Sequence, residues 1–217
     1  MKIKHLALPF VALMLTVTTV TAQTAKDVFD KSVKLTYLGI DFTKAKIIGD
    51  AALKTDDIPE TQYASINQKV VNEAKKYTIA EAFNREEVST DIGPVNKRNA
   101  KIDEDNIKSD NSDDYQALTP DDVKSLVSGF DFNGKTGLGL LLVMEGFNKT
   151  KKEISTYVTL VDMKAKKVLF TERVTGSLGG RFGVAWGFAN LYLTGVKAVI
   201  DDIEKKKFKE WKSTYGG

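Results

Sequence analysis

The chain has 217 residues, with 32 basic and 29 acidic side chains, one histidine and no cysteine. The lack of cysteine excludes disulfides and thiol nucleophiles, and a net charge of only +3 gives no reason to expect nucleic acid or an anionic membrane as a partner. The length suits a single domain with a sizeable core.

Residues 1–22 have the pattern of a secretory signal peptide, with two lysines near the start, an apolar stretch and small residues before position 23. We expect cleavage after Ala22 and an exported domain over residues 23–217, in the periplasm or outside the cell. Cleavage also removes His5, so the mature domain has no serine–histidine triad, cysteine nucleophile or ordinary zinc site. Because no cysteine precedes the mature start, we expect no lipid anchor.

The first half of the mature chain predicts a strand, a helix and a second strand. Lys34–Phe42 has the alternating pattern of a strand and is rich in residues that favour strands. Lys44–Gly49 either continues this strand after a bend or forms a loop. Glu60–Asn84 carries apolar residues at steps of three and four, which predicts one helix. Arg85–Ile92 then gives a weaker strand pattern that ends at Gly93.

An acidic segment around residues 96–118 is expected to be a loop. Six acidic side chains fall within the twelve positions 103–114, but their spacing does not fit the register of an EF-hand. A solvated loop is the main interpretation, and a cation site is the alternative. Thr119 then caps a short helix that has Pro120 in its first turn.

The second half predicts three strands and a long helix. Leu138–Met144 is a nearly continuous apolar run, and Ile154–Val161 and Val168–Val174 are rich in β-branched and aromatic residues. Short lysine-rich connections predict antiparallel pairing of these strands, and Val184–Lys207 is amphipathic. The expected fold is α/β (α+β): a mixed sheet in the order β-α-β-α-β-β-β-α, with a carboxyl-terminal antiparallel meander and a long packing helix.

This order of elements resembles the α/β fold of the TolB amino-terminal domain and of the curli-secretion lipoprotein CsgG. The local likeness lies in Tyr157–Asp162, in Lys166–Phe170 and in the glycine-rich turn that leads into the last helix. The resemblance covers Lys34–Lys207 and implies this fold and a cell-envelope address. The chain departs from CsgG because it has no lipid-attachment cysteine, and from TolB because no six-bladed propeller follows. No channel or propeller activity is carried over.

Two places near the last helix are candidate binding sites. The glycine-rich turn over residues 176–183 could hold a small ligand at the amino terminus of the helix, through Gly179, Gly180, Arg181 and Gly183. The helix also carries more apolar residues than one sheet face needs, with Trp186, Leu193 and Ile200 aligned at steps of seven. Either the chain's own loops or a partner covers this side, the partner being an envelope protein or a second copy.

Catalytic and nucleotide-binding signals are weak. Gly129–Thr136 matches the Walker pattern, but a helix precedes it and a strand follows, so we expect a turn on Asn133 and Gly134. Several carboxylates lie in or beside strands, but the sequence alone brings no two of them together. We therefore expect no catalytic residue, cofactor or metal, and no membrane-spanning segment in the mature chain. The leading interpretation is a non-enzymatic domain for protein-partner binding or envelope assembly. The alternatives are a small-ligand binder at residues 176–183 and a carboxylate-based hydrolase.

Overall fold

A computed structural model describes residues 22–178 and 188–216. In these residues a seven-stranded mixed sheet packs against helices, which confirms the predicted α/β class. The strands are β1 (Leu35–Asp41), β2 (Lys46–Ile48), β3 (Val88–Thr90), β4 (Lys108–Ser109), β5 (Leu138–Asn148), β6 (Glu153–Asp162) and β7 (Lys167–Ser177). The helices are α1 (Tyr63–Asn72), α2 (Ile79–Ala82), α3 (Gly93–Asn99), α4 (Pro120–Ser128), α5 (Phe188–Asp202) and α6 (Phe208–Tyr215).

Strand β5 is the centre of the sheet. It pairs in parallel with β1 along its first half and with β2 along its second half, so β1 and β2 are successive segments on one side of it. Strand β3 pairs in parallel with β1, and β4 with β2. On its other side β5 pairs antiparallel with β6, which pairs antiparallel with β7. Strand β2 lies within Lys44–Gly49, where continuation of the first strand was one of the two interpretations. The predicted order lacks β4, because two residues carry too few side chains for a readable pattern.

The two faces of the sheet bury separate cores, and all eleven residues of β5 are buried. Leu140 and Leu142 face one core with α1, α2, α5 and α6, while Leu141 and Val143 face the other with α3 and α4. Because both faces of β5 are covered, its sequence is a nearly continuous apolar run. Within residues 22–178 and 188–216, every helix is too short or too polar to cross a lipid bilayer.

The single helix predicted over Glu60–Asn84 is wrong. A π-helical segment, Ile58–Gln62, leads into α1, which ends at Asn72, and α2 begins only at Ile79. The turn between them redirects the chain, so that Phe83 packs against Phe208 of α6 with ring centroids 5.8 Å apart. A straight helix would carry Phe83 along the axis of α1, so this tertiary contact outweighs the local periodicity.

The acidic segment contains more structure than the predicted loop. Helix α3 includes residues 96–99, and β4 and two short 3₁₀ turns follow. The side chains of Asp103 and Asn111 accept hydrogen bonds from backbone amides two residues further on. Such side chains stabilise turns rather than collect a cation. Helix α4 has the predicted cap, because Thr119 accepts a hydrogen bond from the Asp122 amide.

Two buried asparagines replace a strand partner along the last part of β1. At Gly39 the strand bulges with φ of +96°, and it then passes the end of β3. The Ile40 amide donates to Asn67 Oδ1 at 2.7 Å, and the Phe42 amide donates to Asn99 Oδ1 at 2.9 Å. Both asparagine amides also donate to the Ile40 carbonyl. Helices α1 and α3 therefore close the edge of the sheet with side chains.

Helix α5 packs very closely on β7, the strand at one edge of the sheet. A Cβ atom on Gly176 of β7 would lie 2.2 Å from the carbonyl oxygen of Gly195 in α5, so no larger residue fits at that position. After α5 the chain continues through a π-helical segment, Ile203–Lys207, into α6. The helical region thus extends to Tyr215, eight residues beyond the predicted end.

Candidate functional site

Most residues of the predicted glycine-rich site lie outside the described part of the chain. This applies to Gly179, Gly180, Arg181 and Gly183, and to Trp186 of the predicted apolar face. The other two residues of that face are buried inside the domain, with 4% of Leu193 and 2% of Ile200 exposed. At these two positions the chain itself covers the helix, which was one of the two alternatives predicted from the sequence. Among the described residues Tyr215 is the one large hydrophobic side chain that is exposed.

A cavity of about 340 Å³ lies between the α1–α2 turn and the edge formed by β1 and β3. The turn separates the end of α1 from α2, and β3 is too short to fill the space beneath them. Tyr37 and Tyr77 form the inner wall. The remaining apolar lining comes from Val70, Val71, Ala74, Ile79, Ala80 and Val88. Thr90 and the charged residues Lys75, Glu81, Glu86 and Glu87 complete the lining. Ligand sites commonly combine an apolar wall with a few polar groups.

Tyr37 and Tyr77 line this cavity, but their hydroxyl oxygens are enclosed by the protein. Tyr37 is fully buried, and its hydroxyl has no hydrogen-bond partner among the described residues. The Tyr77 hydroxyl is also buried without an aligned partner, although Lys76 Nζ lies 5.0 Å from the centre of its ring. Burial raises the pKa of Tyr37 and of Tyr77, and for Tyr77 the nearby Lys76 opposes the rise. Both hydroxyls therefore keep their protons at neutral pH.

A larger cavity, of about 690 Å³, lies at the amino ends of β1 and β3 but is less suited to binding. Its most notable group, the Arg85 guanidinium, already donates to backbone carbonyls. Nε donates to Val33 at 2.9 Å, Nη1 to Phe83 at 2.7 Å and Nη2 to Val28 at 2.9 Å. Arg85 is 7% exposed, so it ties the amino-terminal segment to the turn before β3 rather than binding a ligand.

A buried ion pair stands at the carboxyl end of β1, where α/β folds often place their sites. Asp41 accepts a hydrogen bond from the Thr43 amide at 2.8 Å, and Arg98 Nε lies 3.1 Å from Asp41 Oδ2 without the alignment of a hydrogen bond. Burial raises the pKa of Asp41, while Arg98 and Thr43 oppose the rise. Because Asp41 is fully buried, it fixes α3 against β1 and does not reach a substrate.

Glu145 and Arg173 form a second ion pair that the sequence did not reveal. Arg173 donates to both Glu145 oxygens, from Nε at 2.7 Å and from Nη2 at 2.9 Å. The carboxylate also accepts from Ser155 Oγ at 2.7 Å and from the Leu118 amide at 3.1 Å. Arg173 Nη2 reaches the Leu118 carbonyl at 2.7 Å. The partners lie 28 residues apart in the sequence, and Glu145 stands at a bulge of β5. This saturated network holds the segment before α4 to the sheet.

The other strand carboxylates also have structural partners. Asp131 accepts from the Asn133 amide, and Glu172 lies 3.3 Å from Lys207 Nζ. Asp162 accepts from the backbone amides of Gln23 and Ala165. In the described ranges no group of three or more histidine, cysteine, aspartate or glutamate side chains is arranged to hold a metal ion.

The Walker-like segment forms a turn between α4 and β5. Asn133 and Gly134 both have positive φ, of 52° and 71°. Lys135 Nζ lies 2.7 Å from Asp91 Oδ2, so its charge is used in an ion pair at the end of β3. No helix follows whose amino terminus could face a phosphate, because β5 begins at Leu138.

The chain was compared with protein-family models, with curated proteins and with solved structures. None of the three comparisons finds a match.

Proposed function

We propose that the chain is an exported, non-enzymatic domain of the cell envelope that binds a small apolar ligand between α1, α2 and β3. Export is inferred from the signal-peptide pattern over residues 1–22 and from the likeness to TolB and CsgG in element order. Ligand binding rests on one observation, the cavity of about 340 Å³ with its apolar wall. This volume is within the range typical of small-molecule sites.

Protein-partner binding or envelope assembly is the second candidate function, and it has less support. The residues expected to carry it, Leu193 and Ile200, are buried in the core. An interface usually needs a cluster of exposed apolar or aromatic side chains. Tyr215 alone does not make such a cluster in the described part of the chain. A ligand at residues 176–183 stays a proposal, because residues 179–183 lie outside the described ranges.

We propose no enzymatic role because the buried strand carboxylates are held in structural ion pairs. Asp41 and Glu145 are buried in ion pairs with Arg98 and Arg173. A general acid or base must reach the proton that it transfers. Carboxylates that are enclosed in the protein and held by ion pairs do not meet that requirement.

The test fills the cavity and measures binding of a neutral fluorescent probe, N-phenyl-1-naphthylamine, to the mature domain. Ala80 lies in the cavity wall and is half-buried, so Ala80→Phe places a ring inside. The matched control is Ala100→Phe, at an exposed position after α3. We expect saturable binding by the wild type and the control, and at least about tenfold weaker binding by Ala80→Phe. Non-saturable binding, or equal binding by the three proteins, would overturn the proposal.

A further inference from the structure

We infer that a molecule carrying a doubly charged phosphate group binds at the carboxyl end of β1. The site is a cavity of about 540 Å³ between the β1–β2 turn, the end of α3 and the segment that follows α3. It shares no lining residue with the apolar cavity beside β3, so this inference goes beyond the proposed function and is independent of it. In open α/β sheets, ligands commonly bind beyond the carboxyl ends of the strands.

Basic side chains from three segments line this cavity. Lys44 lies in the β1–β2 turn, and Lys46 begins β2. Arg98 lies in the last turn of α3, and Lys101 follows the helix. Among the described lining residues Asp103 alone is acidic, and two neighbours in the chain donate hydrogen bonds to its carboxylate. A concave surface lined in this way attracts anions.

The Arg98 guanidinium is fixed on its inner side and open on its outer side. Nε lies 3.1 Å from Oδ2 of the buried Asp41, and the guanidinium carbon lies 5.6 Å from the centre of the Phe130 ring. Nη1 makes one long contact, 3.5 Å to the Leu126 carbonyl oxygen, and Nη2 makes no hydrogen bond to a described residue. The side chain is 29% exposed. A guanidinium held in this way can donate two parallel hydrogen bonds to phosphate oxygens.

The charges around Arg98 match a dianion better than a monoanion. Lys44 and Lys101 are exposed, and neither forms an ion pair with a described residue. The four basic side chains of the lining stand against the carboxylates of Asp103 and Asp41, which leaves a surplus of two positive charges. A phosphate monoester, with about 1.5 to 2 negative charges at neutral pH, compensates that surplus, and a carboxylate compensates only about half of it.

The test uses two probes with the same aromatic ring, phenyl phosphate and benzoate, and measures their binding to the mature domain by calorimetry at low ionic strength. The variant Lys44→Gln/Lys101→Gln loses two exposed charges of the site. The matched control, Lys205→Gln/Lys209→Gln, loses two exposed charges near the end of the chain. We expect the wild type and the control to bind phenyl phosphate saturably, and the site variant to bind it at least about tenfold more weakly. Benzoate should bind the wild type more weakly than phenyl phosphate does.

Further measurements depend on the phosphate group and on the guanidinium that meets it. Arg98→Lys keeps the charge but removes the planar fork, so it should weaken phenyl phosphate binding about three- to tenfold in a protein that thermal melts show to be folded. The second proton of a phosphate monoester dissociates at about pH 6, so binding should weaken about fivefold or more between about pH 7.5 and about pH 5. Ala80→Phe, which fills the apolar cavity, should leave phenyl phosphate binding unchanged.

The outcomes separate a specific site from general attraction by basic side chains. Non-saturable binding of phenyl phosphate, equally tight binding of benzoate, or an equal loss in the two lysine variants would overturn the inference. Unchanged binding by Arg98→Lys would also overturn it. Sedimentation with vesicles that contain phosphatidic acid identifies the source of the phosphate. Sedimentation that is lost in Lys44→Gln/Lys101→Gln supports a lipid headgroup, and phenyl phosphate binding without sedimentation supports a soluble phosphate monoester.

Discussion

Cleavage after Ala22 would place a charged amino group against a buried carboxylate. The backbone nitrogen of Gln23 lies 2.9 Å from Asp162 Oδ2, and Asp162 is 2% exposed. The other carboxylate oxygen accepts from the Ala165 amide at 3.0 Å. In the uncleaved chain the Gln23 nitrogen is a neutral amide. After cleavage it becomes an ammonium group at the same place.

The expected gain in stability of the folded domain follows from the difference between neutral and charge-assisted hydrogen bonds. A neutral bond contributes about 0.5–1.5 kcal/mol, and one to a charged group about 1.5–3 kcal/mol. Because Gln23 is only half-buried, we expect the lower end of that difference, about 1 kcal/mol. For a domain of this size, this corresponds to about 2–4 °C in Tm.

The assay compares two forms of residues 23–217 that differ by one charge. One form keeps the free amine of Gln23, and in the other that residue is cyclised to pyroglutamate, whose ring nitrogen is uncharged but still carries a hydrogen. Thermal unfolding of both forms is repeated with Asp162→Asn. The free amine should be more stable only while Asp162 is present. Equal stability of the two wild-type forms would refute the reasoning, and mass spectrometry that finds Met1 on exported protein would refute the cleavage.

The remaining predictions concern the core. Leu193→Ala should lower the free energy of unfolding by about 2–5 kcal/mol without changing the oligomeric state, because the residue is buried within the chain. Denaturant titration and sedimentation check this, and an association lost in Leu193→Asp with unchanged stability would contradict it. Arg173→Ala should lower the free energy of unfolding by about 3 kcal/mol, because it leaves the Glu145 carboxylate buried without its ion-pair partner. As a control, adding Glu145→Leu to the Arg173→Ala variant should restore stability. A loss of stability below about 1 kcal/mol in Arg173→Ala would show that the ion pair is unimportant.

The parts of the fold that were predictable are those with local causes. The central strand β5 lies where an apolar run is bounded by glycines, and α4 begins where Thr119 and Pro120 indicate a helix start. The break between α1 and α2 has no such cause. Neither glycine nor proline occurs between Asn72 and Ile79, and the chain turns there because Phe83 packs against α6. Sequence periodicity alone could not show this.

The candidate site was less predictable than the fold. Tyr37, Val70 and Val88 come together only because β3 pairs with β1 and because α1 ends above them. Each of these residues alone reads as ordinary core. The predicted helix gave no separate signal, because Ala74 and Ala80 continue the same apolar stripe as Val70 and Tyr77 at steps of three and four.

The asparagines at the end of β1 also bear on how the folding chain avoids aggregation. A strand edge with free amides and carbonyls can recruit a strand from another molecule. At Ile40 and Phe42 these groups are occupied by Asn67 and Asn99. Among the described residues, an incoming chain on this side of the sheet finds the three residues of β3 and the two of β4. We therefore expect variants that lack Asn67 or Asn99 to leave this edge open to pairing between molecules.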